Sequence, residues 1–382
     1  MIQINVSEIK EIEGKVQANP DYISLSQGSI RVGGIPQEIK NYVKKILDTD
    51  KSDYYQSAWG IWELRQKISE NLSNSYNVNI LPKNILVTHG CMGALSTIFL
   101  TILEPGDEVI IPEPNYPAYK NIVKVARGIH KFVSCFDENN LKWSIDIEKI
   151  KDNVTLKTRA IVFSNPCNPT GTVVDKKTLI ELVDFCESKK IYLIIDEAYC
   201  DYVFDCEFTS SVSFFKNYEF VICTRSFSKN FSMSGWRIGY MVVPDSLSKS
   251  FGSMQDILLN CPNIIGQYAA LYAMNNYEHV NKFKSIIKKN RDMAVLLLKN
   301  AKDFFDFIIP ESSFYLFLKT KEKDSFDLCM KILNIAKVGL ISGRSFGPSG
   351  KSCMRLCYAR DEDILVEGIG RILDFLKDVQ KK

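Results

Sequence analysis

Histidine is scarce in this 382-residue chain: His89, His130 and His279 are the only three. The pairs Cys353/Cys357 and Cys200/Cys206 have no zinc-like spacing and no histidine nearby, so no metal site is expected. An excess of charge is missing too. Forty-eight Lys and Arg against 45 Asp and Glu leave a net charge of +3, which argues against nucleic acid or an anionic membrane as partner. No uncharged apolar stretch is long enough to span a bilayer. The start, Met1 to Lys10, lacks a basic segment followed by an apolar run, so no secretory signal is expected. The 11 cysteines are an odd number, and Cys186, Cys223 and Cys261 fall in apparent core strands. Reduced thiols in a cytoplasm are therefore expected, not a disulfide framework.

What is present is an ordinary globular composition, 46% hydrophobic and 24% charged, in a chain long enough for two lobes. Neither a repeat nor a low-complexity segment breaks it. From about residue 84 to 243, short apolar runs alternate with amphipathic stretches. The runs Asn84 to Thr88, Glu108 to Ile111, Arg159 to Ser164, Ile191 to Ile195 and Phe220 to Thr224 read as strands buried on both faces. Between them, Met92 to Leu103, Pro117 to Ala126 and Lys176 to Lys189 have helical spacing. The fold class expected is α/β with a mostly parallel sheet. Past about residue 280 the pattern changes: a basic helical stretch, Lys282 to Lys299, leads to the apolar runs Ser313 to Leu318 and Cys353 to Tyr358. That predicts a smaller α/β lobe, joined by the N-terminal arm. The expected division is 1–45 for the arm and part of the small domain, 46–279 for the large domain, and 280–382 for the rest of the small one.

Each predicted strand ends in a polar or Gly/Pro-rich loop, and ligands of open α/β sheets bind at those carboxyl ends. One such loop runs Ser226-Phe-Ser-Lys229-Asn-Phe-Ser-Met-Ser-Gly-Trp-Arg237-Ile-Gly239. A single lysine is ordinarily a solvated surface charge. This one follows a buried strand in a serine-rich turn, where it can form a Schiff base with an aldehyde while hydroxyls and Arg237 hold a phosphate. Pyridoxal phosphate carries both groups. Freed from the aldehyde, Lys229 would be the base that moves the substrate Cα proton.

Asp196 closes the most apolar strand, where a carboxylate is costly unless it meets a positive partner. A protonated pyridine nitrogen is one, and its protonation makes the ring an electron sink. Tyr199 and Asn168 can reach the cofactor's 3′ oxygen, and Asn168 also a substrate carboxylate. Gly90-Cys91-Met92 opens a helix straight after a strand, so its free N–H groups suit the phosphate. Tyr116 offers a face on which the ring can stack. Arg355, alone in an apolar run, needs an anion, and the α-carboxylate of an amino acid fits.

These residues resemble the class I/II aminotransferases, fold-type I pyridoxal-phosphate enzymes, across about residues 20 to 375. The shared motifs are Asn165-Pro-Cys-Asn168-Pro-Thr-Gly171, Asp196-Glu-Ala-Tyr199 and Ser226 to Gly239. The resemblance implies a seven-stranded central sheet, a small lobe built from both chain ends, and a homodimer with active sites at its interface. It further implies that Tyr55 reaches the phosphate of the neighbouring subunit, that Ser226 and Ser228 lie near the phosphate, and that Gly28 contacts the substrate carboxylate. The activity implied is ping-pong transfer of an amino group from an L-amino acid to a 2-oxo acid. A lyase, cyclase or oxidase would use the same cofactor contacts and stays open at this point, because fold and cofactor do not set reaction type. A ligand-sensing regulator on this fold would carry a basic DNA-binding domain, for which the sequence before residue 20 leaves no room.

Two departures from the family pattern bear on substrate choice. His89 precedes Gly90 where relatives have a small or polar residue; it is either a loop histidine or an extra acid/base. Arg31 either meets a substrate side-chain carboxylate or faces solvent. The aromatics Tyr22, Trp59, Tyr202, Phe314 and Tyr315 would equally suit an apolar or aromatic side chain.

Overall fold

The computed structural model describes residues 7–137 and 139–380. Residues 1–6, the start of the expected arm, and 381–382 lie outside them. A seven-stranded sheet forms the centre. Its spatial order is Ile85–Thr88, Gly239–Val242, Val221–Ser226, Tyr192–Asp196, Thr158–Ser164, Glu108–Glu113 and Ile129–Ser134. Six strands run parallel; Gly239–Val242 is antiparallel to both its neighbours. The five apolar runs each form a strand, as the sequence suggests. Gly239–Val242 and Ile129–Ser134 are additional, and the second has a half-exposed outer edge that hides it from a search for buried runs.

Helices such as Gly90–Ile102, Ala118–Val125 and Lys176–Lys189 cross between parallel strands. The last starts where the Asp175 side chain accepts from the Thr178 backbone N–H at 3.0 Å, a standard N-cap. Leu193, Ile194 and Ile195 are fully buried, each contributing roughly 1.5–3 kcal/mol. Register then aligns the strand ends: Ser164 pairs with Asp196, and Asp196 with Thr224. Three polar residues thus sit side by side where the apolar layer stops.

A second, four-stranded antiparallel sheet is ordered Phe305–Asp306, Tyr315–Thr320, Cys353–Cys357, Ile341–Ser342. Its core unites both chain ends, with Ile23 and Leu25 packing among Ile287, Leu316, Leu356, Ile369 and Phe375. The short strand Ile23–Ser24 pairs parallel with Val338–Gly339. The N-terminal helix Glu8–Gln17 sets Ile12 and Val16 in a core shared with Ile161, Leu333 and Ile341. Two cysteine placements differ from expectation: Cys186 is buried on the helix Lys176–Lys189, and Cys261 follows a helix end, leaving Cys223 as the strand residue. Helical and strand burial give the same apolar signal in a short window.

Candidate active site

A cavity of about 830 Å³ opens at the carboxyl edge of the large sheet. Lys229, Asp196, Tyr199, Asn168, Ser226 and Ser228 line its floor; Gly28 and Arg355 enter from the smaller sheet's side, and Arg237, Cys91, Met92 and Tyr116 from the opposite wall. These are the residues singled out in the sequence, drawn together from positions 28 to 355.

Lys229 sits on the one-turn helix Phe227–Asn230, capped by Ser226, whose Oγ accepts from the Ser228 N–H at 3.0 Å. The Tyr202 hydroxyl donates to the Lys229 carbonyl at 2.9 Å and fixes the turn. The amine donates to the Gly28 carbonyl. Burial pulls its pKa down to about 8, because desolvation disfavours the charged form. Gly28 must be glycine: a Cβ there would lie 2.0 Å from the Tyr315 hydroxyl.

Asp196 is 4% exposed. It accepts from Tyr119 OH at 3.1 Å, Thr224 Oγ1 at 3.2 Å and the Ala198 N–H at 3.2 Å. Burial pushes its carboxyl up, and hydrogen bonds from Cys91, Tyr119 and Thr224 pull it back. The neighbouring Glu197 is structural: it takes Arg225 at 2.7 Å and the Ser211 N–H at 2.6 Å.

The Asn165 to Gly171 turn is held from inside. Asn165 Oδ1 accepts from the Val174 N–H at 3.0 Å, and the Asn168 N–H donates to Ser164 Oγ at 3.0 Å. This presents the Asn168 amide to a polar chain. Arg355 Nη1 donates to Asn168 Oδ1 at 2.9 Å, Asn168 Nδ2 donates to Tyr199 OH at 3.2 Å, and Tyr199 OH meets Tyr315 OH at 2.9 Å. Arg355, 1% exposed, also donates to the Ser26 carbonyl and stacks 4.4 Å from the Tyr315 ring centre.

At the other end the helix Gly90–Ile102 starts with no side-chain cap, leaving its first N–H groups for an anion. Gly90 has φ +70°, and a Cβ there would lie 2.8 Å from Arg237 Nη2. Exposed Arg237 donates to the Ser234 carbonyl at 2.8 Å and the His89 carbonyl at 3.3 Å. Tyr116 is half-buried beside Met92, its hydroxyl 3.7 Å from Sδ.

Arg31 does not line the cavity. Its guanidinium lies 3.2 Å from Gln27 Oε1 and 4.0 Å from the buried Glu13 carboxylate. Nor does the His89 ring, whose pKa is lowered by burial and by the nearby Arg237. Of the five named aromatics only Tyr315 lines the wall. Tyr55 is 83% exposed and away from its own chain's cavity. Sequence reasoning missed Tyr119, Thr224 and Ser26, whose contacts run across 77, 28 and 329 residues. A polar residue at the end of an apolar strand was available as a signal for Thr224 alone.

The donor set fits pyridoxal phosphate. Asp196 is a buried carboxylate with no ion-pair partner among the described residues, which a ring N–H would supply. Ser228 Oγ and Arg355 Nε are buried without a hydrogen-bond partner, so each has capacity for a further group.

The family model for aminotransferase class I and II matches residues 20–372. A probable aspartate/prephenate aminotransferase of Aquifex aeolicus is 35% identical over 356 residues, 90% of this chain and 88% of that one. Thermus thermophilus aspartate aminotransferase with maleate superposes with a TM-score of 0.90 at 27% identity, covering 97% of both chains. The aromatic aminotransferase of Pyrococcus horikoshii gives 0.88 at 29%, covering 97% of this chain and 99% of its own. A model match of that length, with such a relative beside it, means that the chain belongs to the class I and II aminotransferases, pyridoxal-phosphate enzymes that move an amino group from an amino acid to a 2-oxo acid.

Proposed function

We propose that the amino donor carries a large apolar or aromatic side chain. The observation that supports this is the outer cavity wall, where Ile9, Met92, Leu100, Ile122 and Val125 gather. Apolar surface grouped round a few fixed polar anchors favours apolar ligand groups. The name of the Pyrococcus neighbour, aromatic aminotransferase, points the same way.

In this reading pyridoxal phosphate, when bound, supplies the electron sink that acidifies the substrate Cα. Lys229 would hold the aldehyde carbon and, as a free amine, would carry the substrate Cα proton. Asp196 would hold the ring N–H; burial raises its carboxyl pKa, and its donors Cys91, Tyr119 and Thr224 work against that rise. Asn168 and Tyr199 orient the 3′ oxygen, and Tyr116 covers the ring face. The N–H groups of Gly90, Cys91 and Met92, the hydroxyls of Ser226 and Ser228 and the Arg237 guanidinium bind phosphate. Arg355, with Asn168 and the Gly28 backbone, binds the α-carboxylate.

We further propose a cytoplasmic homodimer in which Tyr55 completes the neighbour's phosphate site, with domains divided at about residues 45 and 280. Tyr54, Tyr55, Trp62 and Ile257 are large, apolar and exposed, which supports an interface. No helix of the described residues is long and apolar enough to cross a membrane.

The test mixes holoenzyme with one amino acid at a time and no acceptor, following cofactor absorbance and 2-oxo acid. Phenylalanine, tyrosine and leucine are expected to give stoichiometric 2-oxo acid faster than alanine or serine. Equal or slower conversion of the apolar donors overturns the reading.

A further inference from the structure

Both substrates of an aminotransferase use one site in turn, so the wall that takes an apolar donor must also admit the acceptor. Four cations line the cavity: Lys10, Lys229, Arg237 and Arg355. The last three have the aldehyde, phosphate and α-carboxylate to hold. Lys10 is exposed on the N-terminal helix, and its side chain makes no ion pair or hydrogen bond among the described residues. Its position is not arbitrary. Glu13, one helical turn on, is 2% exposed, and its Oε1 accepts the hydroxyls of Ser24 and Ser26. The Ser26 carbonyl in turn accepts from Arg355. Arg360, also buried, donates to the carbonyls of Ser24, Ser29 and Gln27 and stiffens the same strap. The helix that carries Lys10 is therefore tied to the segment that orients the α-carboxylate anchor.

We propose that Lys10 determines specificity by pairing with the distal carboxylate of a dicarboxylic substrate, so that the enzyme joins an apolar donor to a 2-oxo dicarboxylate acceptor. Arg31, the cation the sequence offers for that task, does not line the cavity and lies against Gln27 and Glu13. A flexible lysine at the mouth also accounts for dual use: it pairs with a carboxylate and swings into solvent for an apolar group. The proposal rests on Arg355 as the α-carboxylate anchor.

The test titrates holoenzyme with maleate and with 3-phenylpropionate, neither of which carries an amino group, and follows cofactor absorbance. Lys10→Gln is expected to lower the maleate-to-phenylpropionate affinity ratio about tenfold. Lys10→Arg is expected to keep the ratio within about twofold, as is Lys15→Gln, an exposed charge on the same helix away from the cavity. An unchanged ratio in Lys10→Gln overturns the proposal, and so does an equal fall in Lys15→Gln, which would mean a bulk charge effect. Arg355→Gln separates the two layers of the argument. If it loses both ligands while Lys10→Gln changes nothing, the Lys10 assignment alone fails. If it still binds maleate as wild type does, the anchor reading fails and takes the Lys10 assignment with it.

Discussion

The floor and the rim of the cavity are built on opposite principles. On the floor the central polar groups are buried and tied by hydrogen bonds: Asp196 by three donors, Asn168 between Arg355 and Tyr199, and Tyr199 to Tyr315. At the rim Lys10, Met92 and Val125 are exposed and sparsely bonded. Buried networks hold one geometry because an unsatisfied partner is expensive there. Exposed side chains cost little to move. A floor of the first kind suits chemistry common to every substrate, and a rim of the second suits two substrates of different shape. Variants on the floor should therefore depress all substrates alike, and variants on the rim should change their ratio.

The largest effect is expected for Lys229→Ala. It would remove both the proposed attachment point and the proposed proton carrier, so half-reaction rates should fall about ten-thousandfold or more for every donor. Arg355→Gln comes next. Losing a buried charge opposite a carboxylate costs roughly 3–4 kcal/mol, a fall of several hundredfold in kcat/KM, again with donor ratios preserved. A donor-dependent loss at either position would break the division between floor and rim.

A smaller effect concerns pH. With its amine pulled down to about 8 by burial, Lys229 of the cofactor-free enzyme is mostly neutral above that pH and mostly protonated below it. The neutral amine attacks the aldehyde. The loading rate, followed by cofactor absorbance, should therefore fall roughly tenfold per pH unit below about 7 and level off above about 9. An ordinary lysine would keep the rate climbing past about pH 10. A rate still rising there would mean that the floor does not enclose the amine.

The same contrast governs what was legible in the sequence. Asp196, Arg355 and Lys229 stand out because a polar residue ending or interrupting an apolar run demands a partner. The five central strands show as continuous apolar runs because parallel strands are buried on both faces. Tyr315 stands out only as one of five aromatics suited to an apolar or aromatic side chain, and only the fold sets its hydroxyl against Tyr199, 116 residues away. Arg31 looked available because nothing local reveals that Glu13 lies buried beside it. Lys10 is one of two lysines on the helix Glu8–Gln17, with nothing local to set it apart. Burial leaves a mark in sequence; an exposed rim position is defined by what folds opposite it.

The smallest effect is expected at Met92, and it probes the comparison most finely. Met92 is 37% exposed at the start of the helix Gly90–Ile102, with its sulfur against the Tyr116 hydroxyl. Its backbone N–H belongs to the proposed phosphate site, while its side chain belongs to the rim. Met92→Ala leaves the backbone donor in place and removes only the flexible thioether, which adapts to the shape of a ligand. Folding stability should change by less than about 0.5 kcal/mol, as for other surface positions. Cofactor affinity should stay within about twofold. The kcat/KM for phenylalanine should fall about threefold to fivefold through lost contact area, while that for alanine, too short to reach the rim, should hold. Equal losses for both donors, with weaker cofactor binding, would mean that this side chain supports the ring through Tyr116. The boundary between floor and rim would then lie one residue further out than the burial pattern places it.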